Sequence, residues 1–443
     1  PTGSSSKTYT KEGYKMDGQW RIYSRREILR LGLASAGLAG VGWLAGCQPA
    51  PGAPAPTTGQ GPTFEGSVTV GISTTLSGSI ASLGQSGLQG VQLAIEDLNS
   101  KGGVLKKEVK LVYADDAAKP DQGATNVRNM ILNDRVVAIF GPVTSAVAAA
   151  ETGIAAQYRK PIIFFTSNDL VLTTKQFHKY AFQVVPNTYM EPRAIAEYLS
   201  RQGFRKYYTI SPDYNYGRDS VEVFLNAMKD FGVSIEVVGQ QWPKLGTTDF
   251  STYISAALAA RPDFVVLFIF GGDLLTFTKQ AKGYGFFEQV KAGGPWDLTL
   301  LPALKTEAPA GHVAWSRAPF FAIDTPEVKD FVRRYRAKYN EWPTEWSLLG
   351  YTAVQTWAYG VQKANSFDGD PVAEALAGAR VPTIRGNITI RQCDHQAEIP
   401  EYIGTISSSL HPEYGFPILE NIFVAHPEKI LLSCDEAQKL QPR

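Results

Sequence analysis

From about residue 67 the chain alternates short β-branched or aromatic runs with helical patterns, and after Pro186 the alternation starts again. This restricts the fold more than any other feature, because strand–helix alternation builds parallel sheets covered by helices on both faces. In the first block SVTVGIS reads as a strand, followed by the helix LQGVQLAIEDLNS, with Leu88, Val91, Leu93, Ala94, Ile95 and Leu98 mostly on one face. VKLVYADD, VVAIFGP, PIIFFTS and YAFQVVP read as further strands. Between them, Pro120 lies near the start of one helix and SAVAAAETGIAAQY forms another. Near-continuous apolar runs such as VVAIF and PIIFF suit parallel strands buried on both faces. The second block has strands at KYYTISPD, VSIEVVG and DFVVLFIF, separated by helices at 218–231 and TDFSTYISAALAA. A helix at 274–283 precedes KAGGPWD, read as a loop, and HVAWSRAPFF, read as a crossing strand. Two long helices, a short one and an extended, hairpin-like tail complete the chain. The prediction is an α/β fold of two doubly wound lobes.

The segment before this body has another character. In SRREILRLGLASAGLAGVGWLAGC, Arg25 and Arg26 precede an apolar run from Leu31 to Ala45 that is too short for a good membrane span and is broken by glycines. Ile28 and Leu29 fall at the spacing of a twin-arginine signal, and Leu44-Ala45-Gly46-Cys47 resembles a bacterial lipobox. The resemblance implies export in a folded state, with Cys47 lipidated. The alternative is a buried helix with an incidental cysteine. Residues 1–46 are therefore expected to be an upstream segment and export signal, and those before Met16 stay outside the fold argument. Residues 47–66, rich in Pro, Gly, Ala and Thr, are expected to be the lipidated cysteine and a flexible linker.

Composition narrows the function. With 43 Lys+Arg against 42 Asp+Glu the formal charge is +1, which offers no basic field for nucleic acid. Of the 3 cysteines, lipidation of Cys47 leaves Cys393 and Cys434, either bridged in an exported compartment or free and buried. The sequence has no G-x-S-x-G, H-E-x-x-H or G-x-x-x-x-G-K-[ST] motif, and its 5 histidines are scattered without metal-ligand spacing. Asp115 and Asp116 end a strand, where they cap a turn more readily than they catalyse. A binding protein without cofactor or metal is expected, not an enzyme.

Several motifs occur in the order seen in one family. Ser77-Gly78, then Gly90, Ala94, Asn99, Gly102 and Gly103, then Asp115-Asp116 are followed by DYNYGRD, by TDFSTYISAALAARPDFVVLFIFGGD and by RQCDHQAEIPEYIG. Together they resemble the type I solute-binding proteins of ABC importers for branched-chain amino acids and amides. The resemblance implies two lobes joined by three crossing strands and closing on a ligand. One lobe is expected to hold residues 67–186 plus 313–385, the other 187–312 plus 386–443.

It also implies a ligand site. Ser145 and Ala146 open a helix after GPVT, where backbone N–H groups favour a carboxylate; Ser145 could equally be an N-cap. Ser167 and Asp169 follow a strand in FFTSND, with Asp169 as a partner for an amine or simply a cap for the next helix. Tyr216 and Phe270 match ligand-contacting positions of the family, Phe270 without the usual hydroxyl. Trp296, or core packing by it, stands near the family's acidic partner of the ligand ammonium, with Asp297 next to it, and Leu83 replaces an aromatic. These departures suit a carboxylic acid, an aromatic acid or an amide as well as an amino acid. The expectation is a monomeric, lipid-anchored receptor, in the periplasm or on the outer face of the cytoplasmic membrane, that hands a small ligand to an ABC permease. The rival is a sensor of the same fold signalling to a membrane kinase.

Overall fold

A computed structural model describes residues 62–442; the signal-like stretch, Cys47 and most of the linker lie outside the described residues. Strands β1 (Ser67–Thr74), β2 (Glu108–Asp115), β3 (Ile139–Phe140), β4 (Ile162–Phe164) and β5 (Ala181–Gln183) form a sheet of order β2-β1-β3-β4-β5, parallel throughout. The Val70, Ile72, Phe140, Ile163 and Phe182 side chains are fully buried, as a sheet covered on both faces requires. Helices α1 (Ala81–Ser100), α2 (Pro120–Leu132) and α3 (Ser145–Gln157) supply the crossovers. Pro120 sits at the first turn of α2, where no intrahelical N–H is lost. The acidic pair at the end of β2 does the turn work expected of it. Asp115 accepts from the Leu76 and Ala117 amides, and Asp116 from Thr75 Oγ1 and the Ala118 amide.

The second sheet has order β15-β14-β10-β9-β8-β6-β7. Its parallel part comprises β6 (Lys206–Ile210), β7 (Glu236–Gln241), β8 (Phe264–Leu267), β9 (Lys291–Gly294) and β10 (Val313–Ser316). The antiparallel strands β14 (Glu401–Ile406) and β15 (Leu419–Ala425) extend it. Helices α4 (Met190–Leu199), α5 (Asn215–Asp230), α6 (Ser251–Ala259) and α7 (Gly271–Gly283) accompany this sheet; the short α8 (Phe286–Gln289) and α9 (Leu301–Leu304) flank β9. Helices α10 (Pro326–Tyr339), α11 (Glu345–Ala364) and α12 (Gly369–Leu376) return to the first sheet, where α11 lies along α1. A Cβ on Gly90 of α1 would stand 1.9 Å from the Ser347 carbonyl oxygen, so that crossing depends on the missing side chain.

Three expectations change. KAGGPWD is not all loop: Lys291–Gly294 is a strand inside the second sheet. Its glycines make room for rings, since a Cβ on Gly293 would meet Phe264 at 2.9 Å and one on Gly294 would meet Trp296 at 3.2 Å. Second, the chain does not leave the second sheet at Val313, because β10 pairs there with β9 and β14 and the crossing follows Ser316. Third, the tail does not join the second sheet at Gly386. The strands β11 (Arg380–Thr383), β12 (Gly386–Ile390) and β13 (Ala397–Glu398) make a small separate sheet, and a bridge from Gln183 to Gln396 ties this part of the chain to β5.

The D-H-Q segment fastens the first crossing. His395 stacks on Phe182 with ring centroids 4.5 Å apart, and Asn187 Nδ2 donates to Gln396 Oε1 at 3.0 Å. Gln396 Nε2 donates to the Val185 carbonyl at 3.0 Å. Beyond β15 come α13 (Pro427–Ile430) and α14 (Cys434–Leu440), and Cys434 is disulfide-bonded to Cys393. Among the described residues no helix is long and apolar enough to cross a membrane.

Candidate ligand-binding cleft

Parallel α/β sheets expose ligand sites beyond the C-terminal ends of their strands. Here those ends of both sheets face one cavity. From the first sheet's side come Leu83 of α1, Val143 and Ser145 after β3, Thr166 and Asn168 after β4, and Trp346 of α11. From the second come Tyr214 and Tyr216 at the start of α5, Phe270 before α7, Pro295 and Asp297 after β9, and Arg317 after β10. The enclosed space is about 30 Å³, room for one or two waters. A ligand the size of an amino acid therefore requires the two walls to separate. A larger groove of about 800 Å³ lies on the surface of α10, between Phe320, Trp342 and Tyr414. Its lining residues do not come from the strand ends where the polar groups of the two sheets converge, so the smaller cavity is the candidate site.

Arg317 spans both walls. Its Nη2 lies 2.6 Å from Glu191 Oε2 of α4, and its guanidinium sits over the Trp346 ring, 4.9 Å from the centroid. Glu345, the first residue of α11, is 3.9 Å from Arg317 Nη1 and accepts from the Ser316 hydroxyl. Burial pushes the Glu345 carboxyl up to about 8, although Arg317 pulls it down. The Arg385 Nη2 donates to the Arg317 carbonyl at 3.0 Å, and Glu401 lies buried nearby with its carboxyl pushed well up by burial. Tyr216 donates to Glu191 Oε1 at 3.3 Å and meets Phe270 edge-to-face at 5.5 Å.

Of the eight binding residues expected from sequence, the cavity wall includes Leu83, Ser145, Tyr216 and Phe270. Ser145 is the first residue of α3, and the cap position before it is Thr144. Ala146 points to solvent, one position further round the helix. Ser167 is buried with its hydroxyl unpartnered, outside the lining. The Asp169 carboxylate caps the following short turn by accepting from the Val171 amide at 3.0 Å, and burial raises its pKa to about 6. Trp296 is fully buried away from the cavity, its indole Nε1 donating to Thr278 Oγ1 at 2.8 Å. Its neighbour Asp297 faces the cavity instead and accepts from the Thr299 amide at 2.8 Å and from Trp346 Nε1 at 3.1 Å.

Asn168, Arg317 and Trp346 were not singled out from sequence. Asn168 lies between two residues that were, and strand alternation alone would have turned it the other way. Arg317 did carry a signal, a lone arginine inside the apolar run HVAWSRAPFF.

Comparison with known proteins agrees with this fold. The model of a periplasmic binding protein family matches residues 67–409. A Leu/Ile/Val-binding protein of Rhizobium johnstonii is 26% identical over 332 residues, covering 74% of this chain and 88% of its own. A periplasmic binding protein of Burkholderia mallei superposes with a TM-score of 0.77 at 23% identity, covering 84% of this chain and 98% of its own. A solute-binding protein of a Rhodopseudomonas palustris ABC transporter, solved with 3,4-dihydroxybenzoic acid, gives a TM-score of 0.73 at 24% identity, covering 81% and 98% respectively.

Proposed function

We infer the function from one premise: this chain belongs to the periplasmic binding protein family, and its relatives are substrate-binding proteins of ABC transporters, not enzymes. It acts as an extracytoplasmic receptor that captures a small amino acid, carboxylic or aromatic acid, or amide and presents it to an ABC permease. The observation that carries this reading is the convergence of both sheets' strand ends on one cavity, with Ser145 and Asn168 on one wall and Tyr216, Phe270 and Arg317 on the other. A ligand touching both walls stabilises the closed arrangement, excludes water and signals occupancy through the hinge. The relative's Leu/Ile/Val specificity and the dihydroxybenzoate of the solved structure bracket the chemistry proposed.

The lobes are residues 67–186 with the segment after Ser316 through the small sheet, and 187–316 with β14 and β15. Export through the twin-arginine-like signal and acylation at Cys47 keep the receptor beside its transporter, with residues 48–66 as the tether. Thermal unfolding of residues 62–443 (refolded to remove bound solute) against amino acids, carboxylates and amides tests the reading. A true ligand at one hundred times its Kd adds about 2.7 kcal/mol and raises Tm. A Tm indifferent to all three classes would sink it.

A further inference from the structure

We propose that the cleft takes a small monocarboxylate with an apolar body and no ammonium group, and that Arg317 and Asn168 set this preference. The proposal deepens the receptor reading and rests on it.

Buried polar groups are almost always hydrogen-bonded, so an unpartnered one facing a cavity shows what a ligand must supply. Two residues of this cavity's lining carry such a group. Asn168 is 4% exposed and its Nδ2 has no partner; Arg317 is 7% exposed and its Nε has none. Both are donors. The carboxylate on the wall is engaged: Asp297 accepts from the Thr299 amide and hydroxyl and from Trp346 Nε1. Glu191, behind the wall, is bracketed by Arg317 and Tyr216. Glu401 has oxygens without partners but does not line the cavity.

An α-amino acid brings one anion and one cation. Its carboxylate finds the Asn168 and Arg317 donors and the first amides of α3. Its ammonium would be desolvated with no free carboxylate to meet it. A monocarboxylate has no such group, and its apolar body meets Leu83, Val143, Phe270 and Trp346. Because Arg317 also holds Glu191 of α4 and stacks on Trp346 of α11, the residue that reads the anion is the one that joins the walls.

Three probes of nearly one shape separate the possibilities: leucine, 4-methylpentanoate, which is leucine without the ammonium, and 3-methylbutylamine, which lacks the carboxylate. Calorimetric titration of the refolded protein is expected to show 4-methylpentanoate binding at least tenfold tighter than leucine, with no binding of the amine. Leucine binding tighter than 4-methylpentanoate, or measurable binding of the amine, overturns the proposal but leaves the receptor reading standing. No response to these probes, to benzoate or to the wider amino acid and amide panel overturns both. Asn168→Asp is the second arm: it is expected to weaken the acid at least tenfold and to admit the amine. Loss of acid binding without gain of the amine would mean that Asn168 only supports the fold, and would remove it from the proposal. Arg317→Lys is expected to retain acid binding that Arg317→Met loses; equal loss in both would assign Arg317 to packing.

Discussion

Trp296 and Asp297 are adjacent, yet one belongs to the core and the other to the cleft. The indole donates to Thr278 and packs on Phe287 at 6.0 Å between centroids, so Trp296 supports the site without touching it. Trp296→Phe is therefore expected to cost about 1–3 kcal/mol in urea unfolding through the lost indole hydrogen bond and lost volume. Its ligand Kd should be unchanged; a tenfold change would return Trp296 to the binding wall. His312 permits a pH test. Its Nδ1 accepts from the Ala292 amide at 3.1 Å and its Nε2 lies 3.1 Å from the Phe287 carbonyl, the pattern of a neutral ring protonated on Nε2. Burial holds its pKa down to about 4. Between that value and the unfolded value near 6.5 the unfolded chain binds the extra proton, so acidification removes stability in that window. The stability difference between the wild type and His312→Asn should shrink by up to roughly 3 kcal/mol from pH 7 to pH 4. A difference constant across that range would show that the ring does not titrate as described.

Helix crossings decide what a glycine is worth. Gly90 allows α1 to lie against the Ser347 carbonyl of α11, and an added Cβ would have to push two backbones apart. Gly153, in α3, has nothing within 4 Å of such a Cβ. Gly153→Ala should raise unfolding free energy by about 0.5–1 kcal/mol through helix propensity. Gly90→Ala should lower it by more than about 2 kcal/mol. Thermal unfolding followed by circular dichroism separates them, and equal effects would contradict the α1–α11 contact. Both residues are glycines in helical patterns, so periodicity alone does not tell them apart.

For the whole molecule, the bond between Cys393 and Cys434 closes a loop of sequence separation 41 that includes β14 and β15 of the second sheet. Gln441 Nε2 reinforces the link by donating to the Cys393 carbonyl at 2.7 Å. A loop of that length constrains the unfolded chain by about 4 kcal/mol. The Cys393→Ala, Cys434→Ala double variant should lose stability of that order, with proteolysis beginning at α14. Unchanged stability would mean that packing alone holds the terminus.

The sequence alone determined the α/β class, the restart after Pro186, the caps at Asp115 and Asp116, and the availability of Cys393 and Cys434 to each other. These follow from local periodicity, short-range hydrogen bonding and residue type, all of which are written along the chain. Tertiary structure decided that β9 and β10 belong to the second sheet, that Asp297 rather than Trp296 faces the cleft, and that Arg317 meets Glu191 and Trp346. Those outcomes depend on which strands pair and which wall each strand end faces, contacts made across more than a hundred residues between Glu191 and Arg317, where local pattern carries no information.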